Sequence, residues 1–178
     1  MKANVLGVRE KEILNDFSNS IQFSNGRYCV ELPWKPGMKE KLADNKENAV
    51  RRFQVLIKRF GNSPPFFETY KGVIDSYLGE GIVAVPSLDR LSSNQEFYLP
   101  HHAVIRDEKP TTRLRIVFDG SAHEDGQFSL NECLFKGLNL YPSLFELLLK
   151  FRQSKIAFTA DIKQAFLQIE IRFGQRFY

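Results

Sequence analysis

The sequence predicts an α+β fold in which helices pack around a long β-hairpin. Apolar residues recur at helical spacing between residues 44 and 78, and two β-rich arms flank a polar turn at residues 107–112. A hydrophobic content of 43% in 178 residues excludes an intrinsically disordered chain and is enough to bury a core. The net charge of +4 is a modest lean toward polyanionic partners, so the placement of the cations has to decide what they bind.

The N-terminal third predicts an arm, a strand and a helix. Residues 1–20 are polar and weakly patterned, which is typical of a linker or N-terminal arm. Alternation between Tyr28 and Leu32 predicts a short strand, which Pro33 and Pro36 stop. From Asp44 to Phe60 the period becomes helical, with Asp44 and Glu47 spaced as a capping box and Gly61 as a stop.

The polar face of this first helix is basic, and two interpretations of it stay open. An exposed row of cations is either an ordinary solvated surface or a nucleic-acid contact, and the pattern does not separate the two. The cations are Lys46, Arg51, Arg52, Lys58 and Arg59.

A second helix is expected after Pro64-Pro65, because aromatic residues there recur at a spacing of 3.6. This aromatic stripe, from Phe66 to Leu78, is interpreted as core rather than as a platform for bases. Gly79 and Gly81 would end the helix, and the apolar segment 82–86 predicts a short strand.

The segment from Phe97 to Ala122 predicts the β-hairpin. Because side chains alternate along a strand, Leu114, Ile116 and Phe118 share one face of its second arm, and the opposite face is polar. The residues predicted on that opposite face are Arg113, Arg115, Val117 and Asp119. The tip concentrates cations, namely Arg106, Lys109, Arg113 and Arg115.

A third helix, from about Pro142 to Phe151, is apolar nearly all round and is therefore expected to be well buried. The segment from Lys155 to Ile171 then reads as a buried strand that carries Asp161. A lone buried carboxylate costs several kcal/mol, so Asp161 has a structural partner, caps the following turn, or faces a cleft and holds an ion.

Several site classes are not supported by the sequence. No run approaches the roughly 20 apolar residues of a membrane span, and no secretory leader is recognisable. Cys29 and Cys133 are far apart and form no zinc motif. The adjacent His101 and His102 point to opposite faces of a strand, so with His123 they are interpreted as structural residues or minor template contacts.

Several ordered motifs resemble the reverse transcriptase of Bel–Pao type LTR retrotransposons. They are GRYCVELPWK, YLPHHAVIRDEKPTTRLRIVFDGSA, SLNECLFKGLNLYPSLFELLLKFRQ and FTADIKQAFLQIEI, and the match covers residues 19–178. The resemblance implies the fingers and partial palm of a right-hand polymerase, with an incomplete palm sheet. The implied division is a linker at 1–20, fingers at 21–154 and the start of the palm at 155–178.

The resemblance also implies site residues. Asp161 matches the first catalytic aspartate, which would bind two Mg²⁺ ions with the Ile162 carbonyl as an extra ligand. Phe166 matches the aromatic residue under the sugar of the incoming deoxynucleotide. Arg115 matches the arginine that grips the triphosphate, with Lys109 or Arg106 as its partner. Asp119 is expected to orient Arg115 or a nearby backbone group.

The implied partners are deoxynucleoside triphosphates and an RNA or DNA template-primer. The residues expected to contact the template-primer are Arg113, Arg51, Arg52 and Lys58. The implied location is an intracellular retrotransposon particle in the cytoplasm or nucleus. The palm hairpin with its paired aspartates is missing, so the chain alone is expected to be inactive. A non-catalytic nucleic-acid-binding domain and a decayed relic remain the alternatives.

Overall fold

The computed structural model describes residues 8–85, 96–106, 114–137, 139, 141–162 and 164–172. Its mixture of helices and small sheets confirms the predicted α+β class. The chain divides into two compact units. The first is formed by Met1–Glu31 and Lys136–Glu170, and the second by Leu32–Phe135 and Ile171–Tyr178.

The first unit begins with a helix and a tight hairpin. Helix α1 spans Val8–Ser20, where the sequence predicted only a linker or arm. Strands β1 (Gln22–Ser24) and β2 (Arg27–Val30) pair antiparallel. Asn25 and Gly26, at φ of 52° and 77°, form the two-residue turn between them, because this turn type needs positive φ at both central positions. The predicted strand of residues 28–32 is thus confirmed in part, as the second arm of this hairpin.

Helix α5 spans Leu144–Gln153 and begins within two residues of its predicted start. The prediction that it is well buried is wrong: none of its residues is buried, and Leu144 and Phe145 each expose at least 70% of their surface. A helix that is apolar all round is stabilised when apolar neighbours cover it, but the described residues do not cover this helix.

The buried strand predicted around Asp161 is also not observed. Residues 157–162 have no regular secondary structure and are exposed, with Phe158 88% exposed. A short 3₁₀ turn at Ala165–Gln168 follows, and strand β5 is limited to Ile169–Ile171. The three short strands form one sheet in the order β1-β2-β5.

The second unit is built on two helices. Helix α2 spans Lys46–Asn62 and begins after Asn45, one residue later than a cap at Asp44 predicts. No capping box forms, although Asp44 accepts a hydrogen bond from the backbone N of Lys46 at 2.8 Å. Helix α3 spans Pro64–Gly79, so it begins at the two prolines that the sequence analysis placed before it, where proline is well tolerated.

The predicted β-hairpin is confirmed in its two arms. Strands β3 (His101–Ile105) and β4 (Leu114–Phe118) pair antiparallel, from His101 opposite Phe118 to Ile105 opposite Leu114. Ile116 is buried while Arg115 and Val117 are exposed, so the two predicted faces are correct. The polar turn at 107–112 lies outside the described residues.

A second antiparallel pairing in this unit lies next to the buried thiol of Cys133. Trp34 and Leu134 form an isolated antiparallel bridge, and Lys35 N donates to the carbonyl of Cys133 at 2.9 Å. Helix α4 (Leu130–Cys133) is capped by Ser129 and Glu132, which exchange both hydrogen bonds of a capping box. Burial raises the pKa of the Cys133 thiol, which has no exposed surface.

Two further sequence expectations have an outcome here. The strand predicted at 82–86 is not formed over the described residues 82–85, which bend and then continue without regular structure. Among the described helices none is long and apolar enough to cross a membrane.

Candidate functional site

Arg115 lies on the outer face of the ribbon formed by β3 and β4. It is paired across the strands with Val104, and its side chain is exposed. Within the part of the chain that the structure describes, the guanidinium makes no ion pair. Its charge reaches Tyr77 of α3: burial and the neighbouring Glu80 raise the pKa of Tyr77, and Arg115 opposes them. Arg115 is therefore an exposed cation whose backbone is held by the pairing of β3 with β4.

The other predicted triphosphate ligands lie toward the tip. Arg106 follows the last residue of β3 and is exposed. Lys109 and Arg113 lie outside the described residues, so their predicted roles stay predictions. The choice between Arg106 and Lys109 as the partner of Arg115 likewise stays open.

Arg51 and Arg52 of α2 are both held in ion pairs. Arg51 Nη2 lies 2.9 Å from the carboxylate of Glu124, with 63% of the arginine side chain exposed. Arg52 Nη1 donates to Asp119 Oδ2. Both partners belong to the loop that leaves β4, so these two arginines connect α2 to that loop. Their predicted contact with nucleic acid stays a prediction, and the structure gives each a partner within the protein.

Of the two alternatives predicted for Asp119, the structure shows the contact with a nearby backbone group. Its Oδ1 accepts a hydrogen bond from the backbone N of Ser121 at 2.9 Å, as expected of a carboxylate that orients nearby backbone. Its cation partner is Arg52 and not Arg115, because the chain turns at Gly120 and brings the carboxylate to α2. Burial alone would raise the pKa of Asp119, but the hydrogen bonds from Arg52 and Ser121 outweigh it and lower the pKa.

In the second half of α2, Lys58 and Arg59 make no ion pair with described residues. Lys58 is exposed and makes no ion pair or hydrogen bond with described residues. Arg59 lies with its guanidinium carbon 4.1 Å from the centre of the Phe66 ring, a cation–π contact that leaves its N–H edge available. Lys58 thus remains a candidate for the predicted phosphate contact.

The base of the ribbon is fixed by a buried asparagine. We call Pro100, His101, Phe118 and Asp119 the hairpin root, where Asp119 N donates to Pro100 O at 2.9 Å. Asn45, which has no exposed surface, receives a hydrogen bond from Tyr98 N at 2.8 Å. Its amide group donates to the carbonyls of Tyr98 and Ala122. One side chain therefore joins the segment that enters β3 to the segment that leaves β4.

Aromatic rings surround the half-buried His101 at the hairpin root. Its imidazole stacks on Tyr70 with centroids 5.8 Å apart and meets the edges of Phe53 and Phe118. The Nδ1 atom is hydrogen-bonded to the Tyr70 hydroxyl. Burial, followed by the charge of His102, lowers the pKa of His101, so the ring is neutral near pH 7. The structural interpretation of this histidine fits its surroundings.

Asp161, Ile162 and Phe166 lie in the other unit, and all three are exposed. Asp161 makes no hydrogen bond or ion pair with described residues, and Lys163, the first residue of the turn that it was predicted to cap, lies outside them. Phe166, 86% exposed, lies in the 3₁₀ turn rather than in a core. These three residues and the cations of α2 and the ribbon therefore belong to separate units.

The donor set around Asp161 does not amount to a magnesium centre. Mg²⁺ requires near-octahedral oxygen coordination, and a two-metal centre needs several carboxylates. In the described ranges no group of three or more His, Cys, Asp and Glu side chains is placed to hold a metal ion. Asp161 offers one carboxylate, and no chemical step is assigned to a metal here.

Two contributors to the site carry weak sequence signals. Asn45 stands one residue before the helical period begins, and nothing in its local pattern predicts its distant partners. The contact between Tyr70 and His101 joins positions 31 residues apart. Comparison of the chain with protein-family models, with curated proteins and with solved structures gave no match.

Proposed function

We propose that the chain is the fingers portion, with the first palm residues, of an RNA-directed DNA polymerase, and that it binds phosphates of nucleic acid and of deoxynucleoside triphosphates. The observation that carries the proposal is Arg115, an exposed guanidinium without an ion pair among described residues, mounted on a ribbon whose root is fixed to α2. The motifs of the sequence supply the family, and the geometry of Arg115 supports the role given to that residue.

The physical basis is the match between guanidinium and phosphate. A planar guanidinium forms paired, charge-assisted hydrogen bonds with phosphate oxygens. A paired strand holds such a side chain in position better than a loop does. Arg115 is the second residue of β4, and the ladder with β3 holds its backbone. A ligand that replaces water at Arg115 therefore does not have to break an ion pair with any described residue.

Template contact would be sequence-independent. Exposed cations that neutralise phosphates release counterions, so binding weakens linearly in the logarithm of salt concentration. Lys58 and Arg106 are exposed cations of this kind in the second unit, with Arg115 as the third. Arg51 and Arg52 would have to leave Glu124 and Asp119 before they could contribute fully.

The catalytic step is not assigned to this chain alone. Phosphoryl transfer depends on positioning and on neutralisation of charge by metal ions, which in a complete enzyme would include Mg²⁺ near Asp161. Because the described residues supply one carboxylate there, we expect no templated synthesis from the isolated chain. Primer extension with purified protein, template-primer, deoxynucleotides and Mg²⁺ tests this expectation, and robust synthesis would contradict it.

The second candidate is a nucleic-acid-binding domain without catalysis. It is favoured by the same exposed, unpaired cations together with the incomplete carboxylate set of the described part. The two candidates differ at Asp161 and Phe166, which a binding domain does not need. Loss of deoxynucleotide binding in Phe166→Ala would favour the polymerase origin, and unchanged deoxynucleotide binding would favour the binding domain.

Binding of a single-stranded oligonucleotide over a series of salt concentrations tests what both candidates share. We expect Arg115→Ala and Lys58→Ala each to lower the salt slope by about 1, as the loss of one phosphate contact does. Lys71→Ala is the matched control, because Lys71 is an exposed cation already paired with Asp75 on the same helix. Affinity that does not change with salt would contradict both candidates.

A further inference from the structure

We propose that Arg52 is a positioning residue, which acts on phosphate binding through Arg115 and not by contacting phosphate itself. This inference rests on the proposed function, since it concerns how the triphosphate-binding arginine is held. It reverses the simplest interpretation of the basic face of α2, in which every exposed arginine there is a ligand for nucleic acid.

The first step is the connection between Arg52 and the hairpin root. Arg52 is ion-paired with Asp119, the residue directly after β4. Asp119 is also held by its backbone N, which donates to Pro100 O beside the start of β3. The carboxylate further accepts from Ser121 N, and the carbonyl of Asp119 accepts from Ala122 N, so four separate bonds converge on this residue. Arg52 is thus bound to the point at which both strands of the ribbon meet.

The second step is the support that α2 gives to this point. Asn45, immediately before α2, binds Tyr98 and Ala122 on either side of the root, and Phe53 meets the ring of His101. Arg52 is therefore one of several contacts that attach α2 and its cap residue to the root and to the segments beside it. Its side chain stays 48% exposed, but its charge is already paired with Asp119, which makes Arg52 a poor candidate for a phosphate ligand.

The third step is the path from the root to Arg115. Arg115 lies in β4 and Asp119 directly follows that strand four residues later, a span of about 13 Å at the rise of a strand. The ladder is continuous over this distance, from the pair His101–Phe118 to the pair Val104–Arg115. Because the two strands are paired over this whole distance, a shift of the root also changes the position of Arg115. Loss of the Arg52 contact would therefore misplace Arg115 while leaving its own strand intact.

A double-mutant cycle on ligand binding tests the inference. The probe is deoxyadenosine triphosphate, titrated by calorimetry into the full 178-residue chain at a temperature at which every variant is folded by circular dichroism. We expect Arg115→Ala to weaken binding about tenfold, the effect of one charge-assisted hydrogen bond. We expect Arg52→Ala to weaken it by a smaller factor, and Arg52→Ala to have no further effect when Arg115 is already alanine.

Three further variants complete the design. Arg52→Lys keeps the charge and can still pair with Asp119, so it should recover most of the affinity that alanine loses. Asp119→Asn should reproduce the loss caused by Arg52→Ala, although it leaves the arginine in place and makes the protein more positive. Lys71→Ala controls for the loss of one positive charge elsewhere and should leave the affinity unchanged.

The outcomes are distinguishable. If Arg52→Ala and Arg115→Ala weaken binding by factors that multiply in the double variant, Arg52 contacts the phosphate directly and the inference is wrong. If Arg52→Ala has no effect on binding, the residue is structural only and the inference is also wrong. If the unaltered chain does not bind the triphosphate at all, the proposed function fails together with the inference.

Discussion

The hydroxyl of Tyr70 and the imidazole Nδ1 of His101 form a hydrogen bond where α3 meets the hairpin root. The two rings are also stacked, at an interplanar angle of 30°. Burial, with the neighbouring Tyr77, raises the pKa of Tyr70 to about 12, so the hydroxyl remains protonated and can donate to the neutral imidazole. One polar contact inside an aromatic cluster thus joins a helix to a strand.

Removal of the Tyr70 hydroxyl should destabilise the protein. In Tyr70→Phe the ring remains, but the partly buried Nδ1 of His101 loses its partner, which costs about 1 kcal/mol of the free energy of unfolding. Tyr77→Phe is the matched control, since Tyr77 is buried on the same helix and no side-chain hydrogen bond is found for it among the described residues. Urea denaturation measures both, and equal losses in the two variants would contradict the expectation.

The stability of the protein should fall in acid because of His101. Its folded-state pKa lies below the ordinary value of about 6.5, so the unfolded chain takes up the proton first as the pH falls. The free energy of unfolding is therefore highest above pH 6.5 and decreases as the pH falls from there through the folded pKa. Urea denaturation between pH 8 and pH 5 measures this decrease.

One histidine variant identifies the source of the pH dependence. His101→Gln should flatten the profile between pH 6.5 and pH 5, because it removes the group whose pKa is lowered by burial. Asp119, whose pKa is lowered, loses its contribution only as the pH falls through values below the ordinary carboxylate range, outside this window. A profile that His101→Gln leaves unchanged would show that another group is responsible.

Asn45→Ala should be the most damaging single substitution at the hairpin root. It leaves a buried backbone N–H at Tyr98 and two carbonyls without their side-chain partner, at a cost of about 3 kcal/mol. Asn62→Ala, at the exposed end of the same helix, is the control and should change stability by less than about 0.5 kcal/mol. Comparable losses for the two asparagines would argue against the role assigned to Asn45.

Asp161 should contribute little to stability. It is exposed and has no partner among the described residues, so Asp161→Asn should shift the free energy of unfolding by less than about 0.5 kcal/mol. Asp119→Asn, which loses an ion pair with Arg52, should cost about 1 kcal/mol. Thermal or urea denaturation compares them, and a large loss at Asp161 would indicate a structural carboxylate.

The elements that the sequence predicted well are those whose pattern is local. The period of α2 and the prolines before α3 place both helices to within two residues. Alternation in β4 assigns Ile116 to the inside and Arg115 to the outside, because the two faces of a strand follow directly from its geometry. Two local signals were also present and not used: Asn25-Gly26 predicts a hairpin turn, and Ser129 with Glu132 predicts a helix cap.

The features that could not be predicted depend on distant partners. Apolar composition in α5 and around Asp161 suggested burial, but burial requires neighbours that a local pattern does not identify. The cation that pairs with Asp119 could not be identified from the sequence for a similar reason. Strand spacing favoured Arg115, four residues away on the same face, while the fold brings Arg52 from 67 residues away. The fold class was therefore accessible from sequence, but the ion pairs around the candidate site were not.

The two cysteines offer a chemical way to follow each unit separately. Cys133 is fully enclosed and its thiolate is disfavoured, whereas Cys29 on β2 is only half-covered. A maleimide dye applied briefly under native conditions should therefore label Cys29 first. Slow labelling of Cys133 would then report how often the pairing between Trp34 and Leu134 opens. The rate of local unfolding could therefore be measured in the unaltered protein.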